Sequence, residues 1–195
     1  MKNIIITFLA FYSTLGFSDS LLHVGNLIDV DSGEINKAMT IRVGGNRIIS
    51  ITKGYASASS ADQVIDLKNS FVMPGFMDMH VHLAQEYVPK AERPAKIEPE
   101  FRTLFAANAA EKTLMAGFTS VRNLGDGGME TIALRQAISQ GLVVGPRIFT
   151  SGKTIATTGG HGDPTNGMAK DRYSPPSPEE GVIDSPEDAV KAVRQ

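Results

Sequence analysis

Short hydrophobic stretches separated by polar turns fill the chain between residues 21 and 70. The segment 39–43 alternates apolar and polar side chains, and Gly44-Gly45-Asn46 then turns the chain into a further apolar stretch. An alternation with a period of two predicts β-strands, and Gly-rich turns between such strands predict hairpins. We therefore predict a small β domain. Its strands are expected at 22–30, 39–43 and 47–51, with a fourth that begins at residue 64.

The pattern changes at Pro74-Gly75, where the backbone breaks. The apolar run from Phe76 to Met79 predicts a strand that is buried on both faces, as in a parallel sheet. Beyond it, stretches with helical spacing of apolar residues alternate with short apolar stretches. The predicted elements are helices at 100–116 and 129–140, strands at 118–124 and 147–151, and a third helix that starts at Ser185-Pro186. This alternation predicts a parallel sheet with right-handed crossovers.

Two long stretches have no regular pattern and are predicted to be loops. Residues 83–99 contain three prolines, and Tyr87 within them is a candidate substrate contact or, alternatively, a solvated side chain. Residues 152–182 are rich in Gly, Pro and Ser, and loops of this length are usually functional or disordered. His161 lies between two glycines there, which let a backbone approach a ligand closely. We predict that His161 contacts substrate; the alternative is a flexible surface histidine.

The strongest candidate for chemistry is the His-x-His sequence that closes the first strand after Pro74. Side chains at positions i and i+2 of a strand point to the same face, so His80 and His82 are expected to project together. Two adjacent imidazoles can bind one divalent metal such as zinc. Asp78 lies on the same face. It is a candidate for a residue that orients a metal-binding histidine without binding the metal itself. The alternative is that both histidines are structural.

Charge and composition narrow the range of functions. The formal net charge is −2. The sequence contains no basic patch of the kind that predicts binding to nucleic acid. The chain contains no cysteine, which excludes disulfides and thiolate metal sites. Residues 1–18 have the weakly basic start, apolar core and small residues of a secretory signal peptide, although a buried strand or helix is the alternative. The apolar core is too short to span a bilayer. We therefore predict a periplasmic or extracellular protein.

Three segments resemble one family. Pro-Gly-Phe-Met-Asp-Met-His-Val-His-Leu at 74–83 resembles the first barrel strand of the amidohydrolase superfamily. Residues 116–123 resemble its second strand, and residues 146–152 with 158–163 resemble its third strand and loop. The pattern is most similar to the branch of imidazolonepropionase-like proteins and Xaa-Pro dipeptidases.

The resemblance implies an α/β fold in which a (β/α)8 barrel accompanies a small β-sandwich. It assigns residues 19–73 to the sandwich and residues 74–195 to an incomplete barrel. Roughly 120 residues follow Phe76, enough for about three β/α units of a barrel that needs about 250. We therefore expect the chain to be the N-terminal part of a longer protein, which in full length can form a homo-oligomer.

The implied activity is metal-dependent hydrolysis of C–N bonds in an amide, peptide or cyclic amide, such as an Xaa-Pro dipeptide. His80 and His82 would bind one or two divalent ions, zinc by expectation, while the other ligands and the catalytic residues would lie outside this sequence. The chain alone is therefore expected to be inactive. Relatives usually carry Arg-Asp where this chain has Arg122-Asn123, so no anionic partner is expected there. The alternatives are a ring deaminase of the same superfamily and a non-catalytic secreted binding module.

Overall fold

The computed structural model describes residues 19–85, 98–169, 171 and 174–194. The predicted signal peptide and Tyr87 lie outside these described residues. The chain divides into two compact units, residues 1–74 and 75–195. In the described ranges, no helix is long and apolar enough to cross a bilayer.

The first unit contains a four-stranded sheet with the strand order β3-β2-β1-β4. Strand β2 pairs antiparallel with β1 and β3, whereas β4 pairs parallel with β1. Gly45 has a φ of +57° in the two-residue turn between β2 and β3, a conformation that glycine adopts without strain. The predicted hairpins are confirmed. The strands are β1 Ser20–Ile28, β2 Ile35–Gly44, β3 Arg47–Lys53 and β4 Gln63–Val72.

The second unit contains a parallel sheet with the order β5-β6-β7 and helices between its strands. This confirms the predicted strand-helix alternation. Ser185 caps the last helix, as predicted, by accepting a hydrogen bond from the Asp188 amide at 3.1 Å. The elements are β5 Phe76–Val81, α1 Pro99–Met115, β6 Phe118–Asn123, α2 Glu130–Ser139, β7 Arg147–Thr150 and α3 Pro186–Val193, with 3₁₀ turns at Leu83–Gln85 and Pro178–Glu180.

The core of the second unit lies between α1, α2 and the sheet. Small side chains of α1 allow this helix to approach the strands closely, and α2 contributes a buried leucine. The buried residues are Leu83, Ala84, Ala106, Ala109, Ala110, Val121, Leu134 and Ile148. This core therefore fixes the carboxyl ends of β5 and β6, where the candidate site lies.

The expected burial of β5 on both faces is wrong for the described residues. Phe76 is 48% exposed, Met77 69% and Met79 54%. The reason is that β5 is an edge strand with one paired neighbour, and the helices pack mainly against β6, β7 and the 3₁₀ turn after β5 rather than against the faces of β5. Only Val81, at its carboxyl end, packs against the core. The apolar run identified the strand correctly but not its environment.

Candidate active site

His80 and His82 lie side by side at the carboxyl end of β5. Their ring centroids are 5.3 Å apart with an interplanar angle of 65°. His80 is exposed, and His82 is half-buried. The strand geometry thus brings together the two imidazoles that the sequence placed on one face.

His82 is held in one orientation by its ring nitrogen Nδ1, which lies 3.1 Å from the carbonyl oxygen of Gly125. A carbonyl oxygen only accepts hydrogen bonds, so Nδ1 must carry the proton. The proton-free Nε2 then has its lone pair available for a metal ion. This is the usual arrangement of histidines that bind metals through one nitrogen and donate from the other.

Asp78 contacts the backbone of the pair. Its Oδ1 accepts a hydrogen bond from the His80 amide at 3.0 Å. Across the described residues, no group of three or more His, Cys, Asp or Glu side chains is placed to hold a metal ion. Catalytic zinc usually has three protein ligands. The two histidines therefore fit as part of a cation site, and a third ligand would have to come from elsewhere.

A buried polar cluster lies directly behind His82, at the end of β6. Asn123 is fully buried and accepts a hydrogen bond from the Leu83 amide at 2.8 Å through Oδ1. Its Nδ2 donates to Asp126 Oδ1 at 2.9 Å and lies 3.4 Å from the carbonyl oxygen of Gly125. Asp126 Oδ2 accepts from both the amide and the hydroxyl of Thr131. Thr131 Oγ1 is in turn 2.7 Å from Thr150 Oγ1, on β7.

This cluster was not predicted from the sequence. The sequence resemblance marks Asn123 only as the replacement of a carboxylate and indicates none of its partners. A local signal is nevertheless present in the sequence, because polar residues stand at the last position of β6, in the loop after it and near the start of α2, namely Asn123, Asp126 and Thr131. In the structure the cluster joins β6, α2 and β7 at the edge where parallel sheets present their sites.

A second missed feature is the ion pair between Arg102 on α1 and Glu130 on α2. Arg102 Nη2 lies 2.7 Å from Glu130 Oε1, and the Glu130 side chain is only 1% exposed. Glu130 Oε2 also accepts a hydrogen bond from the Gly128 amide at 2.8 Å. Buried charges are retained in proteins when they are paired in this way. The pair connects α1 to the loop between β6 and α2.

A cavity of about 470 Å³ lies beside His82 in the second unit. The structure places the candidate substrate contact His161 on its wall, together with His82 and Gln85. Asp126 and Lys153 also line it. The cavity thus brings one predicted metal ligand and the predicted substrate contact to the same space, whereas His80 and Asp78 are not part of its wall.

The loop that carries His161 is organised around Asp163, which is buried. Asp163 Oδ2 accepts a hydrogen bond from the Gly159 amide at 2.7 Å, and Oδ1 accepts from both the amide and the hydroxyl of Thr165 at 2.7 Å. The Gly159 and Thr165 hydrogen bonds lower the pKa of Asp163 below its ordinary value, since they favour the carboxylate. The segment around His161 is therefore a hydrogen-bonded turn, whereas the His161 side chain itself is exposed and its contact with substrate stays a prediction.

We expect Asp163→Asn to loosen this turn. An amide presents one oxygen where the carboxylate presents two, so either Gly159 or Thr165 loses its acceptor. Hydrogen exchange of the affected amide should accelerate roughly tenfold at pH 7, since bonds to charged acceptors are among the stronger ones. Asp171→Asn, at an exposed position of the same loop, is the control. Unchanged exchange at both amides would show that Asp163 does not hold the loop.

The same carboxylate predicts how the loop responds to acid. The pKa of Asp163 is lowered in the folded state. The stabilisation of the loop by its carboxylate is therefore complete above the ordinary pKa of aspartate and is lost as pH falls through the lowered value. Protection of the Gly159 and Thr165 amides should therefore decrease below about pH 4. This decrease should be absent in Asp163→Asn.

Comparison with known proteins connects this geometry to a family. Residues 71–195 match the amidohydrolase family. Among curated relatives, ochratoxinase of Aspergillus niger is 32% identical over 94 residues, which is 47% of this chain and 19% of that protein. An adenine deaminase of Kosmotoga olearia is 32% identical over 107 residues, or 55% of this chain and 18% of its own length.

Two solved structures extend the comparison to most of the chain. A Xaa-Pro dipeptidase with methionine bound in its active site is 48% identical and superposes with a TM-score of 0.84. A prolidase complexed with n-methylphosphonate-l-proline is 30% identical, with a TM-score of 0.77. Each match covers 91% of this chain, but only 44% and 43% of the respective structures. The fold corresponds to the N-terminal part of their barrels, with the barrel not closed, as predicted. The chain belongs to the amidohydrolase family.

Proposed function

We propose that the chain forms part of a hydrolase that cleaves C–N bonds, of the Xaa-Pro dipeptidase type. The observation that carries the proposal is the pair His80 and His82, at the carboxyl end of β5, with the Nε2 of His82 left free by its bond to Gly125. Active sites of barrel enzymes lie at this end of the strands. The 48% identity with a Xaa-Pro dipeptidase over 91% of the chain supports the dipeptide substrate class.

Amidohydrolases typically use divalent metals. A bound cation lowers the pKa of its water and polarises a substrate carbonyl. In this proposal, His80 and His82 are neutral ligands of that cation, and zinc suits two imidazoles. His161 contacts the substrate from the cavity wall, and Tyr87 is a second substrate contact. Asp78 fixes the backbone of His80.

The remaining ligands and the proton-carrying carboxylate of the family would come from further strands. We therefore propose that these 195 residues alone bind the cation weakly and do not turn over substrate. Residues 1–18 would direct export to the periplasm or the extracellular space. Stoichiometric zinc together with turnover from residues 19–195 would contradict the first of these proposals.

A ring deaminase is the second candidate, since an adenine deaminase matches part of the chain at 32% identity. Those matches cover about half of the chain, whereas the dipeptidase covers most of it. The assay that separates the two candidates compares release of proline from Xaa-Pro dipeptides with release of ammonia from adenine. Activity toward neither substrate, without bound metal, would favour a non-catalytic binding module.

The test starts with the intact mass of the protein from its native source, followed by metal analysis and these assays. In that protein, His80→Ala and His82→Ala should each remove the metal and lower kcat/KM on the order of a thousandfold, because the cation supplies several kcal/mol of transition-state stabilisation. His23→Gln is the matched control, since His23 lies in the first unit, where its Nε2 is hydrogen-bonded to the carbonyl oxygen of Ala56 at 3.0 Å. Full activity in the His80 and His82 variants would overturn the proposal.

A further inference from the structure

Neither metal binding nor substrate binding explains why an asparagine stands at position 123. It is fully buried at the last residue of β6. It is not among the residues that line the cavity. Its side chain nevertheless contacts the amide of Leu83, next to His82 in the chain, and the carbonyl oxygen of Gly125, which binds the His82 ring. A buried side-chain amide costs free energy unless it is hydrogen-bonded, so the presence of Asn123 at this buried position calls for a structural reason.

The first link runs through the backbone. Asn123 Oδ1 accepts a hydrogen bond from the amide of Leu83, the residue after His82, at 2.8 Å. The second link runs through the ring. Asn123 Nδ2 is 3.4 Å from the carbonyl oxygen of Gly125, the same oxygen to which His82 Nδ1 donates at 3.1 Å. One side chain thus contacts both the backbone beside His82 and the acceptor of its ring.

The orientation of the amide is fixed by its third partner. Asp126 Oδ1 lies 2.9 Å from Asn123 Nδ2 and, as a carboxylate oxygen, only accepts. The nitrogen must therefore face Asp126 and Gly125, and the oxygen must face Leu83. A carboxylate at position 123 could accept from Leu83 but could not donate to Gly125 or Asp126. The asparagine is thus suited to this position in a way that aspartate is not.

We propose that Asn123 is a positioning residue, which holds the His82 ring through the Gly125 carbonyl and the Leu83 amide in the orientation and tautomer that a divalent cation requires. This inference rests on the proposed function in one respect, namely that His82 binds a cation. The placement of the ring itself does not depend on that assumption. Partners that orient metal-binding histidines typically change metal affinity about 10- to 100-fold when removed.

The experiment measures the histidine tautomers of the chain by ¹⁵N–¹H correlation NMR and then titrates the same samples with Zn²⁺. The chain has four histidines, so His→Gln variants assign every ring. Wild type is expected to show His82 with its proton on Nδ1. Asn123→Ala should shift His82 toward the Nε2–H tautomer and weaken zinc binding about 10- to 100-fold. Thr40→Val, which removes a buried hydroxyl in the first unit, is the control for general destabilisation.

The outcomes separate this inference from the proposed function. An unchanged tautomer and affinity in Asn123→Ala would overturn the inference. A proton on Nε2 of His82 in the wild type would also overturn the inference, and this result does not depend on the folding of any variant. If wild type binds no zinc but Asn123→Ala still changes the His82 tautomer, the positioning role stands and the expected weak cation binding of this chain fails. The proposed function itself is tested separately, by the metal analysis and the two assays on the protein from its native source.

Discussion

Replacement of Arg102 by methionine is expected to lower the free energy of unfolding by about 3 kcal/mol. Arg102 Nη2 lies 2.7 Å from Glu130 Oε1, and the Glu130 side chain is almost fully buried. Removal of one partner from such a pair leaves a buried carboxylate without an opposite charge, which costs about 3–5 kcal/mol. The Arg102 side chain is 25% exposed, so water can partly solvate the vacated site. We therefore expect a value near the lower end of that range.

Urea unfolding of the variant, compared with wild type, measures this loss. Arg135→Met is the matched control, because Arg135 is an exposed arginine on the same helix as Glu130, and its replacement should change stability by less than about 0.5 kcal/mol. The double variant Arg102→Met with Glu130→Gln removes both charges and keeps an acceptor for the Gly128 amide. It should regain much of the lost stability. If Arg102→Met and Arg135→Met had equal free energies of unfolding, the ion pair between Arg102 and Glu130 would contribute nothing to stability.

The pair also matters for the candidate site. A Cβ atom at Gly127 would lie 2.9 Å from Arg102 Nη1, so the guanidinium packs directly against the loop after β6. Gly127 lines the cavity beside His82, and the Gly128 amide donates to Glu130. We therefore expect Arg102→Met to increase hydrogen exchange in this loop before the molecule unfolds globally.

Local patterns were sufficient to predict the elements and the histidine pair. The helical spacing placed α1 and α2 within about one residue of their observed ends. The period of two in a strand placed His80 and His82 on one face, where their rings are indeed 5.3 Å apart. These features depend on backbone periodicity, which a few neighbouring residues determine. They could therefore be obtained without knowledge of the packing.

The features that the sequence did not predict depend on partners distant along the chain. Asn123 bonds to the backbone of Leu83, forty residues earlier, and Arg102 pairs with a glutamate on the next helix. The exposure of Met77 depends on which elements of the fold pack against the faces of β5. Nothing in the periodicity of one segment determines which residue of another lies against it. Such contacts become visible only when the sheet order and the helix packing are known.

Gly125→Ala is expected to be the most disruptive single change near the site, with a loss of about 4 kcal/mol, the sum of a strain cost and a packing cost. Gly125 has a φ of +148°, which residues with a Cβ atom rarely adopt, and such strain costs about 1–3 kcal/mol. A Cβ atom there would also overlap with Thr154 Oγ1 and lie 3.0 Å from Thr154 Cα. Overpacking against an ordered neighbour adds about 1–3 kcal/mol. Both costs arise from the added Cβ atom, one through the φ angle of residue 125 and the other through its contact with Thr154.

Two further variants separate strain from overpacking in the same unfolding experiment. Gly141 has a φ of +71°, but a Cβ atom placed on it would meet nothing within 4 Å, so Gly141→Ala should cost only about 1–2 kcal/mol. The double variant Gly125→Ala with Thr154→Gly removes the Oγ1 contact and should recover part of the loss. Equal losses for Gly125→Ala and Gly141→Ala would mean that Thr154 yields at no cost.

The same variant tests whether the glycine serves the site as well as the fold. If the loop relieves the clash by moving away from Thr154, the Gly125 carbonyl moves with it, and its 3.1 Å contact with His82 Nδ1 is disturbed. In the double variant, stability should therefore recover further than the tautomer of His82, because a small residual contact with the Cα atom of residue 154 still displaces the carbonyl. A double variant that recovers both equally would mean that the carbonyl returns to its place. Such a result would assign Gly125 a role in packing alone.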